Sequence, residues 1–291
     1  MAYSTITPLA QEERETLRSF IADQLGRGNL DLPLLPVVAN RVLLFSSDPD
    51  ADASQLSSLI QQDQALAGQI IRIANSPAYA PRTPIVSLQQ AITWLGLTML
   101  AGLAFSVSVQ GGVFHTTGYE KEVRNLWRHA LATGLFGKEI ARRIRHNVEN
   151  AFLCGLLHTI GKPAILHLLS QSPEKTAEPF SWATVESLFE EFHVMAGSKL
   201  ASIWQLPDPV QETIRYYLDD QYHQAISPTK GAKITCLAHH LASVMLENAT
   251  HDENSLLTLP VVQDLNFYPE DMTALLELRE TIMTSVECFL P

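Results

Sequence analysis

The chain has little positive charge and lacks the short motifs that mark common nucleotide-binding and nucleophilic enzymes. Its 20 Lys and Arg residues are outnumbered by 31 Asp and Glu residues, which gives a formal net charge of −11. A nucleic-acid binder needs a cationic face for its phosphate contacts, so this balance argues against nucleic acid as a partner. Neither a glycine-rich phosphate loop nor a GxSxG nucleophile turn occurs.

Cysteine pairs and a secretory signal are also missing. The three cysteines are widely spaced without a CxxC pair, which favours reduced thiols in a cytoplasmic protein over a disulfide framework. The first 20 residues lack a cationic segment followed by an apolar run. The apolar stretch 91–109 approaches the length of a membrane span, but it contains hydroxyl side chains and has no flanking basic cluster. We therefore expect a buried core helix there and no membrane span.

Helical periodicity dominates the rest of the chain, and no convincing alternating strand pattern occurs. One apolar stripe predicts a helix over about 54–75, and a second predicts a helix over 120–145. Further helices are predicted over 182–204, 229–248 and 270–289. The sequence therefore predicts an all-α fold, a compact bundle of many helices without a fixed-period repeat.

One local basic cluster stands out in this acidic chain. It contains Lys138, Arg142, Arg143, Arg145 and His146, at the end of the second predicted helix. Cations at a helix C-terminus complement the helix dipole, so the pattern favours a solvated helix end. The alternative is a contact with a phosphate group or an acidic partner.

Several short motifs follow one another in an order that resembles the HDOD family, over roughly residues 30–217. They include paired Leu-Pro units near residue 33, the tetrapeptide Ile-Ala-Asn-Ser ending at residue 76, and the octapeptide GLLHTIGK ending at residue 162. The signature positions are Pro33, Pro36, Asp63, Asn75, Ser76, Gly96, Gly161, Lys162, Trp204 and Pro207. Most of them also have a structural explanation, because prolines fix φ and an asparagine can bind nearby backbone groups.

The resemblance implies a bundle like those of the HD superfamily, with extra helices at both ends. Residues 1–29 are expected to form an N-terminal helical extension, and residues 30–225 the HDOD domain. Within that domain we expect an N-terminal helical part at about 30–115 and an HD-like part at about 120–225. Residues 226–291 are expected to form C-terminal helices that pack on the HD-like part.

The resemblance also implies a metal site, because HDOD proteins are degenerate relatives of the HD-domain and HD-GYP metal-dependent phosphohydrolases. The hydrolases use histidines and an adjacent His-Asp pair to hold two cations that activate water. Here His129 and His158 match histidine ligands, but Thr159 stands at the position of the aspartate. A neutral hydroxyl cannot bridge two cations as a carboxylate does.

The later ligand positions depart from the hydrolase pattern as well. His193 matches a histidine of the HD-GYP relatives, whereas their next His-His pair falls at Tyr216 and Tyr217, and the last aspartate falls near His239. A tyrosine is a poor ligand while it is protonated near neutral pH. The predicted vestigial pocket contains His129, His158, Thr159, His193, Tyr216, Tyr217 and His239. Two interpretations stay open: the histidines bind one transition metal, or they are core histidines bonded to one another and to tyrosines.

The function that the resemblance implies is a non-catalytic bacterial signal-transduction module that binds partner proteins. Relatives often accompany receiver, diguanylate-cyclase or phosphodiesterase domains, so separate chains of these kinds are the candidate partners. No cofactor is expected, apart from a single transition metal on the histidine cluster. The alternatives are a metal-dependent phosphohydrolase that uses the residual histidines, and a pocket that keeps nucleotide binding after losing hydrolysis.

Overall fold

A computed structural model describes residues 8–27, 33, 53–77, 79–110, 113–114, 116–175, 178–218, 221–226, 230–246 and 253–289. Every regular element in these ranges is a helix, so the predicted all-α fold is confirmed. The α-helices in chain order are α1 (Pro8–Gly26), α2 (Ala53–Gln61), α3 (Gln64–Ala74), α4 (Leu88–Leu95), α5 (Leu97–Gln110), α6 (Glu120–Arg143), α7 (Val148–Leu157), α8 (Gly161–Leu169), α9 (Trp182–Ile203), α10 (Asp208–Tyr216), α11 (Gly231–Met245), α12 (Glu253–Leu256), α13 (Pro260–Asp264), α14 (Pro269–Leu276) and α15 (Arg279–Phe289). A short 3₁₀ turn lies at Tyr222–Gln224.

Helix α6 lies at the centre of the bundle. It packs against α7 and α11, while α9 packs against α8 and α10. The middle of α6 is buried on all sides, with Leu131, Leu135 and Phe136 each no more than 1% exposed. Helix α1 lies against α8 and α9, and α15 lies against α6 and α3. These contacts join the described helices into one continuous apolar core.

Two pairs of glycines allow the central helices to approach closely. A Cβ atom on Gly155 of α7 would lie 2.8 Å from the Cα of Gly134 on α6. A Cβ on Gly161, at the start of α8, would overlap the carbonyl oxygen of His193 on α9 and lie 2.6 Å from the nitrogen of Gly197. The signature position Gly161 therefore has a packing role, because a larger residue would push α8 away from α9.

Two of the predicted helices are wrong as single elements. The stripe over 54–75 continues across a break, where the Oδ1 atom of Asp63 accepts a hydrogen bond of 3.0 Å from the nitrogen of Leu66 and caps α3. The prediction over 270–289 likewise covers two helices, α14 and α15. In both places the apolar residues stay on the core side after the break, so periodicity alone gives no sign of it.

The apolar stretch 91–109 is also divided, because α4 ends at Gly96 with φ of 86° before α5 begins. A different run, Val148–Leu169, is long and apolar enough to cross a membrane by length and composition, and it covers α7 and α8. Of its most apolar window, 94% is buried inside the protein, as in the core helices of a soluble protein.

Lys138 does not belong to a solvated helix end, and its assignment to the basic cluster is wrong. Its side chain is buried, with Nζ 4.3 Å from the centre of the Tyr79 ring and 3.6 Å from a carboxylate oxygen of Glu139. Arg142 also binds Glu139, at 2.6 Å, and remains exposed at the end of the helix. The prediction fails because Lys138 faces Tyr79, in the segment between α3 and α4, and the local sequence does not reveal this contact.

Replacing Gly161 with alanine tests whether the close approach of α8 to α9 holds the bundle together. Gly161→Ala should lower the free energy of unfolding by about 1–3 kcal/mol or more, because the backbone of α9 has to move. The matched control is Gly68→Ala in α3, where a Cβ meets nothing within 4 Å. It should raise the stability by about 0.5–1 kcal/mol. Urea unfolding followed by circular dichroism measures both, and equal stability of the two variants would contradict the role of Gly161.

The burial of Lys138 predicts a stability effect that depends on pH. Burial lowers the pKa of Lys138 to about 8 from the ordinary value of 10.5. The unfolded chain therefore binds this proton more tightly, so burying the charged lysine costs stability below about pH 8, and the cost disappears as the pH rises towards 10.5.

Lys138→Met should accordingly stabilise the protein at pH 7, by about 1–4 kcal/mol, since Glu139 keeps its contact with Arg142. Unfolding curves of the wild type and the variant at pH 7, 9 and 10 check this. All other titrating groups are common to both proteins, so the difference in stability between them reports on residue 138. The difference should shrink as the pH rises. A wild type that is more stable at pH 7, or a difference that ignores pH, would contradict the prediction.

Candidate functional site

Three imidazole rings from three parts of the chain meet beside the centre of α6. His129 lies on α6, His158 follows the last residue of α7, and His239 lies on α11. The Nδ1 atom of His239 lies 2.9 Å from Nε2 of His129 and 3.1 Å from Nε2 of His158. We call these residues the histidine trio. His158 is fully buried, and His129 and His239 are residues of intermediate exposure.

One backbone contact fixes the protonation of His158. Its Nδ1 lies 2.6 Å from the carbonyl oxygen of Gly155, and because a carbonyl only accepts, Nδ1 carries the hydrogen. In the neutral ring, Nε2 of His158 therefore presents a lone pair to His239. A single hydrogen on Nδ1 of His239 can serve both of its short contacts only as a shared, bifurcated bond. Because Nε2 of His158 carries no hydrogen, the two short contacts of His239 Nδ1 cannot both be linear hydrogen bonds.

A fourth histidine is close to the trio but separated from it by a tyrosine. His193 donates from Nδ1 to the carbonyl oxygen of Phe189, and its Nε2 accepts a hydrogen bond of 2.8 Å from the Tyr217 hydroxyl. The Tyr217 ring centre lies 4.8 Å from that of His158 and 5.5 Å from that of His239. Both nitrogens of His193 are therefore occupied, and Tyr217 fills the space between it and the trio.

Burial keeps all four pocket histidines neutral near pH 7. It lowers the pKa of His129 to about 3 and that of His193 to about 4. The pKa values of His158 and His239 are also lowered well below the ordinary value, first by burial and then by neighbouring imidazoles. The nearby ammonium group of Lys162 disfavours a positive charge on each of these rings. The pocket therefore contains neutral rings with available lone pairs.

Two residues of the predicted pocket do not join the trio. Thr159 follows His158 and is buried, but a hydroxyl carries no charge to offset a cation. Tyr216 is half-buried and its ring lies 5.9 Å from the guanidinium carbon of Arg215. Sequence matching placed Tyr216 and Tyr217 as an equivalent pair, and it could not tell which one faces His193.

Carboxylates are missing from the cluster as well. Among the described residues, the group of His, Cys, Asp and Glu side chains that could hold a metal ion consists of His129, His158 and His239, with their ligand atoms within 4.8 Å of one another. The donors are nitrogen atoms only. The structure therefore offers an all-imidazole site in place of the mixed site of histidine and aspartate that the HD pattern implies.

Two signature residues outside the trio contact each other. The indole nitrogen of Trp204, at the end of α9, donates a hydrogen bond of 2.9 Å to the carbonyl oxygen of Pro33. A third, Asn75, fastens the segment after α3: its Nδ2 donates to the carbonyls of Ile71 and Ile85, at 2.9 and 2.8 Å, and its Oδ1 accepts from the Ile85 nitrogen at 2.8 Å. These contacts hold backbone segments in place.

The remaining signature residues lie at helix ends and in the core. Gly96 ends α4, Pro207 precedes α10, and Ser76 is buried after α3. The ammonium group of Lys162 lies 5.9 Å from the ring centre of Phe189, and burial lowers the pKa of this lysine. Pro36 lies outside the described residues.

Comparison with known proteins gives a family match over most of the chain. The model of the HDOD domain matches residues 32–219. An uncharacterized protein of Treponema pallidum (strain Nichols) is 28% identical over 240 residues, which are 77% of this chain and 45% of that protein. The chain thus spans less than half the length of this curated relative. Residue 239 of the trio lies beyond the matched range.

Solved structures show a similar fold. A protein of Shewanella amazonensis SB2B, named "Putative metal-dependent phosphohydrolase", has a TM-score of 0.74 and 22% identity, covering 94% of this chain and 99% of that one. An HDOD domain protein with unknown function from Geobacter sulfurreducens has a TM-score of 0.66 and 23% identity, covering 96% and 99%. A "Putative signal transduction protein" of Marinobacter aquaeolei VT8 has a TM-score of 0.63 and 20% identity, covering 95% and 66%. At these identities the likeness is one of fold.

The contact between Tyr217 and His193 predicts unequal effects of two neighbouring substitutions. Tyr217→Phe leaves the Nε2 acceptor of His193 buried without its donor, so it should lower the free energy of unfolding by about 1–3 kcal/mol. Tyr216→Phe is the matched control, and its effect should stay within about 0.5 kcal/mol. Urea unfolding at pH 7 measures both. Equal losses in the two variants would contradict the assigned hydrogen bond.

Proposed function

The chain belongs to the HDOD domain family, and from that membership we propose that it is a regulatory module that binds other proteins and does not hydrolyse phosphoesters. The observation that carries the proposal is the composition of the pocket. Among the described residues, its cluster of potential metal ligands contains three imidazoles and no carboxylate. Two-metal hydrolysis needs anionic ligands that bridge the cations and balance their charge.

Each departure from the hydrolase pattern removes a different part of that chemistry. Thr159 stands where a bridging aspartate would be needed, and its hydroxyl stays neutral. Tyr217 occupies the space beside His158 and engages the free nitrogen of His193. A second cation would have to displace this phenol and would still lack an anionic ligand. The pocket is therefore better suited to a structural or ligand-sensing role than to water activation.

We propose that the partners are separate signalling proteins with receiver, diguanylate-cyclase or phosphodiesterase domains, in the cytoplasm of a bacterium. The Treponema relative supports a bacterial source, and the name of the Marinobacter protein supports a signalling role. The buried thiols of Cys154 and Cys236 form no disulfide, which supports a reducing compartment. The acidic balance of the chain supports protein partners over nucleic acid. Nucleotide binding in the same pocket is a further part of this proposal.

One observation favours the alternative, a metal-dependent phosphohydrolase. Three neutral imidazoles that converge can hold a single metal ion, and one such ion can lower the pKa of a bound water. This alternative uses only the chain's own histidines and needs no second cation. It differs from the regulatory module in one measurable respect, which is turnover.

A hydrolysis assay separates the two functions. We expect the protein to cleave a chromogenic phosphodiester and phosphomonoester no faster than His158→Ala does, in the presence of Mn²⁺, Mg²⁺ or Zn²⁺. His223→Ala serves as the control for histidine loss, since this side chain is 57% exposed and lies on the 3₁₀ turn, outside the trio. Turnover that survives in His223→Ala and vanishes in His158→Ala would overturn the regulatory proposal and establish the hydrolase.

A further inference from the structure

The HD fold implies a pair of metal ions, and the residues of this pocket do not fit a pair. Two cations need anionic bridging ligands, and the described cluster has none. His193 would be needed for the second ion, but it accepts a hydrogen bond from Tyr217 and donates one to Phe189. The pocket nonetheless leaves one contact between imidazoles incomplete, because Nδ1 of His239 cannot form linear hydrogen bonds to both His129 and His158.

A single ion fits this requirement. A tetrahedral ion bound by nitrogens at about 2.0–2.1 Å needs them roughly 3.3 Å apart. The nitrogens of the trio are already 2.9 and 3.1 Å apart in two pairs, and all three lie within 4.8 Å. The Gly155 carbonyl fixes the His158 ring so that Nε2 points to the ion, which is the usual outer contact of a metal-bound histidine. Small ring rotations therefore suffice to form the site.

The donor atoms select the class of ion. Neutral imidazoles suit Zn²⁺, Ni²⁺, Cu²⁺ and Co²⁺, whereas Mg²⁺, Ca²⁺ and Mn²⁺ prefer oxygen ligands. Of these ions, Zn²⁺ best matches three nitrogens with a fourth position left open.

The position of His239 indicates what such an ion would control. His239 lies on α11, beyond the segment that matches the HDOD model, while His129 and His158 lie within it. Helix α11 packs against α6, α7 and α10, and α15 packs against α6. Arg128, the neighbour of His129, forms an ion pair of 2.6 Å with Glu287 on α15. An ion on the trio would therefore tie the C-terminal helices to the central pair of helices.

We propose that His129, His158 and His239 form a mononuclear site for a borderline transition-metal ion of the Zn²⁺ type, and that the ion regulates the module by fixing α11 and the helices after it onto α6 and α7. The regulatory part rests on the proposed function, whereas the metal site stands without it. The ion is the stimulus, and the C-terminal helices carry the response to the partner.

Zinc titration of the 291-residue protein, stripped with chelator and free of an affinity tag, tests the site. We expect one equivalent of Zn²⁺ to bind, and Mg²⁺ and Mn²⁺ not to compete at a large excess. Since loss of an outer contact of a metal ligand alone weakens binding by about 10–100-fold, His129→Ala, His158→Ala and His239→Ala should each weaken it by at least that factor. His223→Ala, outside the pocket, should keep the affinity of the wild type.

Hydrogen exchange with and without Zn²⁺ tests the response. Backbone amides of 231–245 and 279–289 should exchange more slowly with the ion bound, and this slowing should be absent in His239→Ala. The slowing of exchange in these two segments should be larger than in α1, which contributes no residue to the site. Slowing that is uniform over the chain would overturn the proposed effect of the ion on the C-terminal helices, although the metal site itself would stand.

The outcomes keep this inference distinct from the proposed function. Binding of zinc without phosphoester turnover supports both. Zinc-dependent turnover would overturn the non-catalytic function and leave the site intact. Failure of Zn²⁺ to bind, or binding that the three alanine variants do not weaken while His223→Ala does, would overturn the site and leave the non-catalytic function untouched.

Discussion

The contact between Gly155 and Gly134 sets the distance between α7 and α6, and the geometry of the pocket depends on it. With no side chain between them, the backbones approach until a Cβ on Gly155 would lie 2.8 Å from the opposite Cα. This approach places His158, three residues after Gly155, beside His129 on α6. The Gly155 carbonyl also accepts the hydrogen bond that orients His158. One glycine thus determines both the spacing and the protonation of the pocket.

A second consequence concerns charge. A buried ionised group is costly unless it is paired, and each of the four pocket imidazoles avoids that cost by staying neutral. Their neutrality is possible because Gly155, Phe189 and Tyr217 supply complementary hydrogen-bonding partners. The same neutrality leaves lone pairs that a cation can use. The neutrality of the imidazoles therefore accounts both for the stability of the pocket without an ion and for its proposed affinity for an ion.

The sequence predicts the helical class, the core-facing stripes and the motif around His158, since all three depend on local spacing and local chemistry. It does not predict the break at Asp63, because the apolar stripe continues on the same face through a capping contact. It also misplaces Lys138, whose partner Tyr79 is distant in the chain and meets it only after α6 has packed. Tyr216 and Tyr217 are adjacent and of one type, so only the turn of α10 decides which of them enters the pocket. Long-range packing accounts for each of these cases.

The replacements in this pocket follow from one electrostatic argument. A carboxylate at the position of Thr159 would have to be paired with a cation or stay protonated, because an unpaired buried charge costs several kcal/mol, on the order of 3–5. A threonine there removes that need, and the Tyr217 phenol fills the space with a group whose ionisation burial opposes, since burial raises its pKa. The remaining imidazoles can hold an ion or stay neutral without it. A pocket that is folded in both states can respond to an ion, whereas one built from carboxylates would depend on it. Under the proposed function, a threonine in place of an aspartate would replace a requirement for metal with an equilibrium between metal-bound and metal-free protein, which suits a regulatory module.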